Sequence, residues 1–181
     1  MTKKGLNQNS KSIQKMVDII EPDFIFSEKP LNRIKIKNIS KNDDVSQKSK
    51  RLEELKKQIN SIENCKLKEN SDKIILGSGN INSPIMIIGG TPSLEEEKSR
   101  LPFQGEVGEL LNKMLLAINI KRRNIYSTYA VNFRPPKDRK PTSMEIKRYS
   151  VFLKEHVSII DPQIIVLMGS SAMEAITGID E

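Results

Sequence analysis

Two loops contain the side chains of this sequence that could do chemistry. The first runs from Gly89-Gly90-Thr91 through three consecutive glutamates at 95–97 to Pro102-Phe103-Gln104-Gly105. Glycines after a strand let the backbone approach a ligand closely, and helix amide groups at Gly105 would face an anion. The alternative for Gly89-Gly90 is a tight turn with no ligand. The glutamates could orient a water molecule, although such runs more often form a solvated acidic turn.

The second loop is basic and rich in proline. It spans residues 132–142 and carries four cations within seven residues, stiffened by three prolines. These cations are Arg134, Lys137, Arg139 and Lys140. Guanidinium and ammonium groups held on a stiff loop suit contact with phosphate, and the alternative is a solvated surface loop. We therefore take the four residues as candidate contacts to a DNA backbone.

Charge and composition divide the chain into two parts. The net charge is +7, and residues 1–70 carry 16 basic and 10 acidic residues whereas residues 71–181 carry 14 and 13. A basic arm is compatible with phosphate contact through counterion release, and the alternative is a solvated tail. We predict a polar basic tail or linker over residues 1–50, with a short helix over 12–21, and one folded domain over residues 51–181.

Several classes of protein are excluded by what the sequence lacks. No apolar run approaches the length of a membrane span or of a signal peptide, which predicts a cytoplasmic protein without a membrane partner. Cys65 is the only cysteine, so the chain can form neither an internal disulfide nor a metal site made of several cysteines.

The elements around the two loops predict an α/β fold. The continuous apolar run at 85–88 suits a strand covered on both faces, and two further strands are predicted over 124–131 and 163–168. Helical spacing predicts helices over 51–62 and 105–118, a capping box formed by Thr142 and Glu145 starts another, and a last helix follows Gly169. Alternating strands and helices predict a short parallel sheet with right-handed crossovers, which binds ligands beyond the carboxyl ends of its strands.

Together, these loops and strands resemble the family-4 uracil-DNA glycosylases of base-excision repair. The resemblance is carried by Gly89 to Gly108, which includes the Pro-Phe-x-Gly-x-x-Gly motif, and by Arg134-Pro135-Pro136. It implies a three-layer αβα fold and hydrolysis of the N-glycosidic bond of uracil in single- or double-stranded DNA. It also implies a base site at Gly89, Gly90, Thr91 and Phe103, with Phe103 as the stacking ring.

The sequence departs from the family where the chemistry is expected. Gly90 replaces an acidic residue, Tyr129 replaces the asparagine that would read the uracil edge, and the family's later His-Pro-Ser segment has no counterpart before Glu181. The only histidine, His156, is expected about 20 Å from the loops, on the surface or partly packed. We leave the catalytic residues unassigned and predict a glycosylase relative whose excision is weak or lost. The alternatives are a noncatalytic nucleic-acid-binding module and a remnant without independent function.

Two further expectations concern the family's 4Fe-4S cluster and its last strand. Of the four cysteines implied by the resemblance, only Cys65 is present, and the other positions hold Ile62, Phe133 and Tyr149. We therefore predict that the chain holds no cluster and no other metal. Without the family's last strand, the run at 164–168 would have an unpaired apolar edge, which predicts poor solubility as a monomer or pairing with a second polypeptide.

Overall fold

A computed structural model describes residues 41–71 and 73–179, so the helix predicted over 12–21 lies outside the described residues. The first helix, α1 (Lys41–Asn60), begins ten residues before the predicted start at Arg51. Residues 41–50, which the composition placed in the linker, therefore form its first half. A short helix, α2 (Lys66–Asn70), follows.

Over residues 41–71 and 73–179 the sheet has four strands, one more than the three predicted. These strands are β1 (Ser78–Gly79), β2 (Ile85–Gly89), β3 (Tyr126–Tyr129) and β4 (Ile164–Leu167), in the order β1-β3-β2-β4. The predicted strands β2, β3 and β4 are parallel to one another, whereas β1 pairs antiparallel with β3. The sheet is consequently mixed, and β4 lies at one edge.

Among the described residues, three more helices lie between β2 and β4, and a fourth follows β4. They are α3 (Leu94–Ser99), α4 (Gly105–Ala117), α5 (Ser143–Ile160) and α6 (Ser170–Thr177), with single 3-10 turns at Arg122–Asn124 and Pro136–Asp138. The capping box predicted at Thr142 and Glu145 is present, and the Glu145 N–H donates to Thr142 Oγ1 at 3.3 Å. No helix in the described ranges is long and apolar enough to cross a membrane.

Helices cover both faces of the sheet, which confirms the three-layer αβα architecture. Met86 and Ile88 of β2 pack with buried residues of α1, α5 and α6 in one cluster. Ile87 points to the opposite face, where it packs with Leu111 and Leu115 of α4. Alternate residues of β2 therefore serve two separate cores, as expected of a strand buried on both sides.

Candidate functional site

A cavity of about 650 Å³ lies beyond the carboxyl ends of β2 and β3, where the first loop and α3 meet the start of α4. It brings together all four residues predicted to bind a base: Gly89, Gly90, Thr91 and Phe103. Carboxylates of Glu95, Glu96 and Glu106 and the ring of Tyr129 also line it. The volume is typical of small-molecule sites.

Phe103 is held in this cavity by an unusual backbone conformation. Its φ is +53°, in the left-handed region that non-glycine residues seldom adopt. The following turn passes so close that a Cβ at Gly108 would lie 2.1 Å from the Phe103 carbonyl oxygen. The second glycine of the motif is therefore needed for the approach of α4 to Phe103. The Arg122 guanidinium carbon lies 5.2 Å from the ring centroid, and its Nη2 donates to the Pro102 carbonyl.

Tyr129, at the end of β3, forms a stacked pair with Phe103. The ring centroids are 5.0 Å apart and the ring planes differ by 28°. The Tyr129 hydroxyl accepts a hydrogen bond from the Phe103 N–H at 3.0 Å and donates one to Glu96 Oε1 at 3.0 Å. Burial raises the pKa of Tyr129 above its ordinary value, and the neighbouring Glu96 carboxylate acts in the same direction. The phenol is therefore neutral and remains a hydrogen-bond donor to Glu96.

Glu96 connects the parts of the site through both carboxylate oxygens. Oε2 accepts from the Ser93 N–H at 2.8 Å and from the Ser93 hydroxyl, and Oε1 accepts from the Gln104 N–H at 3.2 Å as well as from Tyr129. Burial alone would raise its pKa, but these hydrogen bonds outweigh burial and lower it. Sequence reasoning missed this role. The signal was present, because Ser93-x-x-Glu96 is the same capping pattern as Thr142-x-x-Glu145.

Gly90, the position that lacks the family's acidic residue, faces the start of α6. A Cβ at Gly90 would lie 3.3 Å from the Ser171 Cβ. A longer side chain would therefore have to displace Ser171 or turn into the cavity. Glu95 and Glu106 line the same cavity, and the Glu95 carboxylate lies over Gly105, within 1.4 Å of where a Cβ would be.

The basic loop contributes no residue to the lining of this cavity but contacts α3 through Arg134 and Glu97, and two of its four cations are paired within the protein. Arg134 donates to Asp138 at 2.7 and 2.9 Å and to Glu97 of α3 at 3.3 Å. Arg139 donates to both Glu145 oxygens, at 2.8 and 2.7 Å, and this contact lowers the pKa of Glu145 to about 2. Lys137 and Lys140 are exposed, and their ammonium groups form no hydrogen bond or ion pair with any residue that the structure describes, although the Lys140 carbonyl accepts from Arg139 at 2.9 Å.

His156 lies in the core, so the expectation of a surface or partly packed side chain is wrong. It is 2% exposed, and its Nε2 lies 3.0 Å from the Tyr126 hydroxyl. The helical spacing had indicated only that the residue is late in α5; packing against β3 accounts for its burial. Burial lowers the pKa of His156 to about 4, so the ring is neutral near pH 7. His156 is absent from the lining of the cavity around Phe103.

The four positions at which the resemblance implies cluster ligands do come together. Cys65 Sγ lies 3.2 Å from the Tyr149 hydroxyl, and the Phe133 and Tyr149 rings meet edge to face at 6.3 Å. Ile62, Cys65 and Phe133 line one cavity of about 510 Å³. A 4Fe-4S cluster requires several thiolates, and one thiol beside an isoleucine and two aromatic rings does not supply them. The donor set therefore does not fit the cluster.

The amino-acid sequence is similar to those of known uracil-DNA glycosylases. The sequence model described as the uracil DNA glycosylase superfamily matches residues 76–180. The chain is 36% identical to the Type-4 uracil-DNA glycosylase of Thermotoga maritima over 60% of this chain and 57% of that protein. It is 31% identical to the enzyme of Archaeoglobus fulgidus (69% and 63%) and 35% identical to that of Sulfurisphaera tokodaii (65% and 54%). The chain thus spans somewhat more than half the length of these relatives.

Proposed function

This chain belongs to the uracil DNA glycosylase superfamily, and from that premise we propose that it binds DNA and excises uracil weakly or not at all. In this proposal, a base enters the cavity at Gly89, Gly90, Thr91 and Phe103, and the basic loop at residues 132–142 contacts the phosphate backbone. Membership in the family supports DNA as the partner, whereas the reaction depends on the groups present at the site.

The observation that carries the proposal is the state of the buried carboxylate. Hydrolysis of the glycosidic bond needs an oriented water molecule and stabilisation of the charge on the departing base. Both oxygens of Glu96 already accept hydrogen bonds from the protein, and the lowered pKa keeps the group ionised. The hydrogen-bonding capacity of Glu96 is therefore used to fix the first loop to Tyr129 of β3 and leaves no oxygen that is free of protein donors. Gly90 offers no carboxylate, and Tyr129 cannot present the paired donor and acceptor of an amide.

A single-stranded oligonucleotide with one uracil tests the reaction. We expect abasic-site formation to be far slower than that of the Thermotoga maritima enzyme, or absent, with a Phe103→Ala variant, which removes the ring of the base site, as the background. Formation of abasic sites at a rate similar to that of the Thermotoga maritima enzyme, and its loss in Phe103→Ala, would overturn the proposal. A thymine-containing oligonucleotide controls for contaminating nucleases.

Backbone contact is tested by the salt dependence of DNA affinity. Lys137 and Lys140 are the cations of the loop without partners among the described residues, so they are the ones able to replace counterions on phosphate. The double variant Lys137→Ala/Lys140→Ala should reduce the magnitude of the negative slope of log K against log salt by about 1.4 to 1.8. The matched control Lys56→Ala/Lys57→Ala removes two exposed lysines of α1 and should leave the slope unchanged.

We also propose that the chain holds no iron-sulfur cluster and that side-chain packing takes its place. The contacts among Cys65, Phe133 and Tyr149 support this proposal. Purified protein, prepared anaerobically, should contain no stoichiometric iron or acid-labile sulfide. About four irons per chain, lost in Cys65→Ala, would contradict it.

The alternative of a noncatalytic nucleic-acid-binding module is favoured by the same hydrogen bonds of Glu96. The assays of abasic-site formation and of salt-dependent DNA affinity distinguish it from an enzyme. Salt-sensitive DNA binding without excision would identify a binding module that acts, as we propose, in the cytoplasm. Neither binding nor excision would identify a remnant without independent function.

A second polypeptide as partner is proposed from the edge strand. β4 pairs with β2 on one side, and its residues Ile164, Ile165 and Val166 are 37–55% exposed. Exposed apolar edge strands recruit further strands. We therefore propose that another polypeptide pairs with β4.

A further inference from the structure

The cavity beside Phe103 offers volume but almost no aromatic surface. Its 650 Å³ are ample for a nucleobase. Phe103, however, is only 6% exposed and Tyr129 only 4%. A base gains its stacking energy by covering the face of a ring. In this conformation a base could enter the cavity without covering the ring of Phe103.

Tyr129 stacks on that ring, and the Arg122 guanidinium carbon also lies 5.2 Å from its centroid. The centroid distance of 5.0 Å and the interplanar angle of 28° are those of an offset stacked pair. The Tyr129 hydroxyl also uses the Phe103 N–H and one Glu96 oxygen, which are polar groups beside the ring. One side chain thus occupies both the aromatic surface and the nearest hydrogen-bonding groups.

The position of Tyr129 is fixed by its surroundings. It ends β3 in register with Gly89, and a Cβ on Gly89 would lie 2.7 Å from the Tyr129 ring. The ring therefore packs directly on the backbone of β2. Moving it away would break two buried hydrogen bonds and expose an aromatic side chain, which makes the covered state the stable one.

We propose that Tyr129 is the specificity-determining residue of this cavity, and that it excludes a pyrimidine base from stacking on Phe103. A shorter side chain at position 129 then opens the Phe103 ring to the base. This inference rests on the proposed function in one respect, since it takes the cavity as the base site. It adds the reason why a base does not stack there in the native chain.

The test uses 5-fluorouracil as the probe, because its single fluorine gives a ¹⁹F NMR signal without background from the protein. Titration of full-length protein should broaden or shift this signal with Tyr129→Asn and leave it unchanged with the native chain and with Tyr129→Phe, which keeps the ring. Adding Phe103→Leu to Tyr129→Asn should weaken binding by about 5- to 150-fold, the factor that corresponds to the loss of one base-aromatic stack.

Two results would overturn the inference. The first is equal binding of 5-fluorouracil by the native chain, Tyr129→Phe and Tyr129→Asn. The second is the absence of binding by a Tyr129→Asn protein whose circular dichroism spectrum matches that of the native chain. If Tyr129→Asn does not fold, Tyr129→Leu serves instead, because it keeps an apolar side chain without the ring, and the same results apply. DNA affinity of the native chain is measured separately, so failure of DNA binding is distinguishable from failure of this inference.

Discussion

The three tyrosines of this chain should differ in what their hydroxyl groups contribute to stability, although all three are almost fully buried. The Tyr129 hydroxyl has two partners, of which one is the ionised Glu96. The Tyr126 hydroxyl pairs with the neutral ring of His156, and the Tyr149 hydroxyl with the thiol of Cys65. Tyrosine-to-phenylalanine substitutions remove these hydroxyls and keep the rings.

The expected losses follow from the partners. Tyr129→Phe leaves a buried N–H unsatisfied and removes a donor from a carboxylate that keeps three others, so we expect a loss of about 2–4 kcal/mol in the free energy of unfolding. Tyr126→Phe removes one neutral hydrogen bond and should cost about 1 kcal/mol. Tyr149→Phe loses only a weak thiol partner and should cost less than about 1 kcal/mol.

Urea denaturation at pH 7, followed by circular dichroism, measures all three variants against the native chain. The slope of the free energy against urea should be the same in each variant, so that midpoints compare directly. A Tyr129→Phe protein as stable as Tyr149→Phe would refute the reasoning, because it would mean that the Glu96 network contributes no more than a thiol contact.

Three further outcomes are expected. Because burial lowers the pKa of His156 to about 4, the unfolded chain binds a proton between pH 6.5 and 4 that the folded chain does not. Acidification from pH 7 to 4 should therefore lower the free energy of unfolding of the native chain by about 3 kcal/mol more than that of His156→Gln. Urea titrations at the two pH values measure the difference. Gly108→Ala should lower the free energy of unfolding by about 1–3 kcal/mol, because its Cβ would overlap the Phe103 carbonyl oxygen. Alanine has the better helix propensity, so equal or higher thermal stability of the variant would contradict this expectation. If β4 is the associating edge, native protein should self-associate in concentrated solution by light scattering, and Val166→Lys should reduce that association; a native monomer at every concentration would refute it.

The order and type of most elements could be predicted from the sequence because their signals are local. The capping pattern at Thr142 identified α5, and β-prone segments between the helices, of which 85–88 is a continuous apolar run, identified the three parallel strands. By contrast, β1 consists of Ser78 and Gly79 alone, which carry no strand pattern and pair with β3 only through the tertiary fold. Residues 41–50 looked like a linker because of their polar composition, yet they continue the helix of an amphipathic segment.

The candidate site was predictable in position but not in its internal bonds. The loops fall at the carboxyl ends of the parallel strands, where the topology requires them to be. Arg134 pairs with Asp138 inside the loop, but its contact with Glu97 is made across 37 residues and depends on where α3 lies. The use of both oxygens of Glu96 likewise depends on Tyr129, which lies 33 residues further along the chain. Such long-range pairs leave no periodic signal in a single sequence.

The glycines of the first loop illustrate how one pattern supports two physical explanations. Gly89 was interpreted as a position where the backbone approaches a ligand, but the space beside it is taken by the Tyr129 ring, 2.7 Å from where a Cβ would be. A side chain at position 89 and a ring at position 129 are therefore mutually exclusive in this fold. Gly89 allows the Tyr129 ring to pack on β2, and under the role proposed above for Tyr129 a smaller residue at position 129 would leave that space to a base.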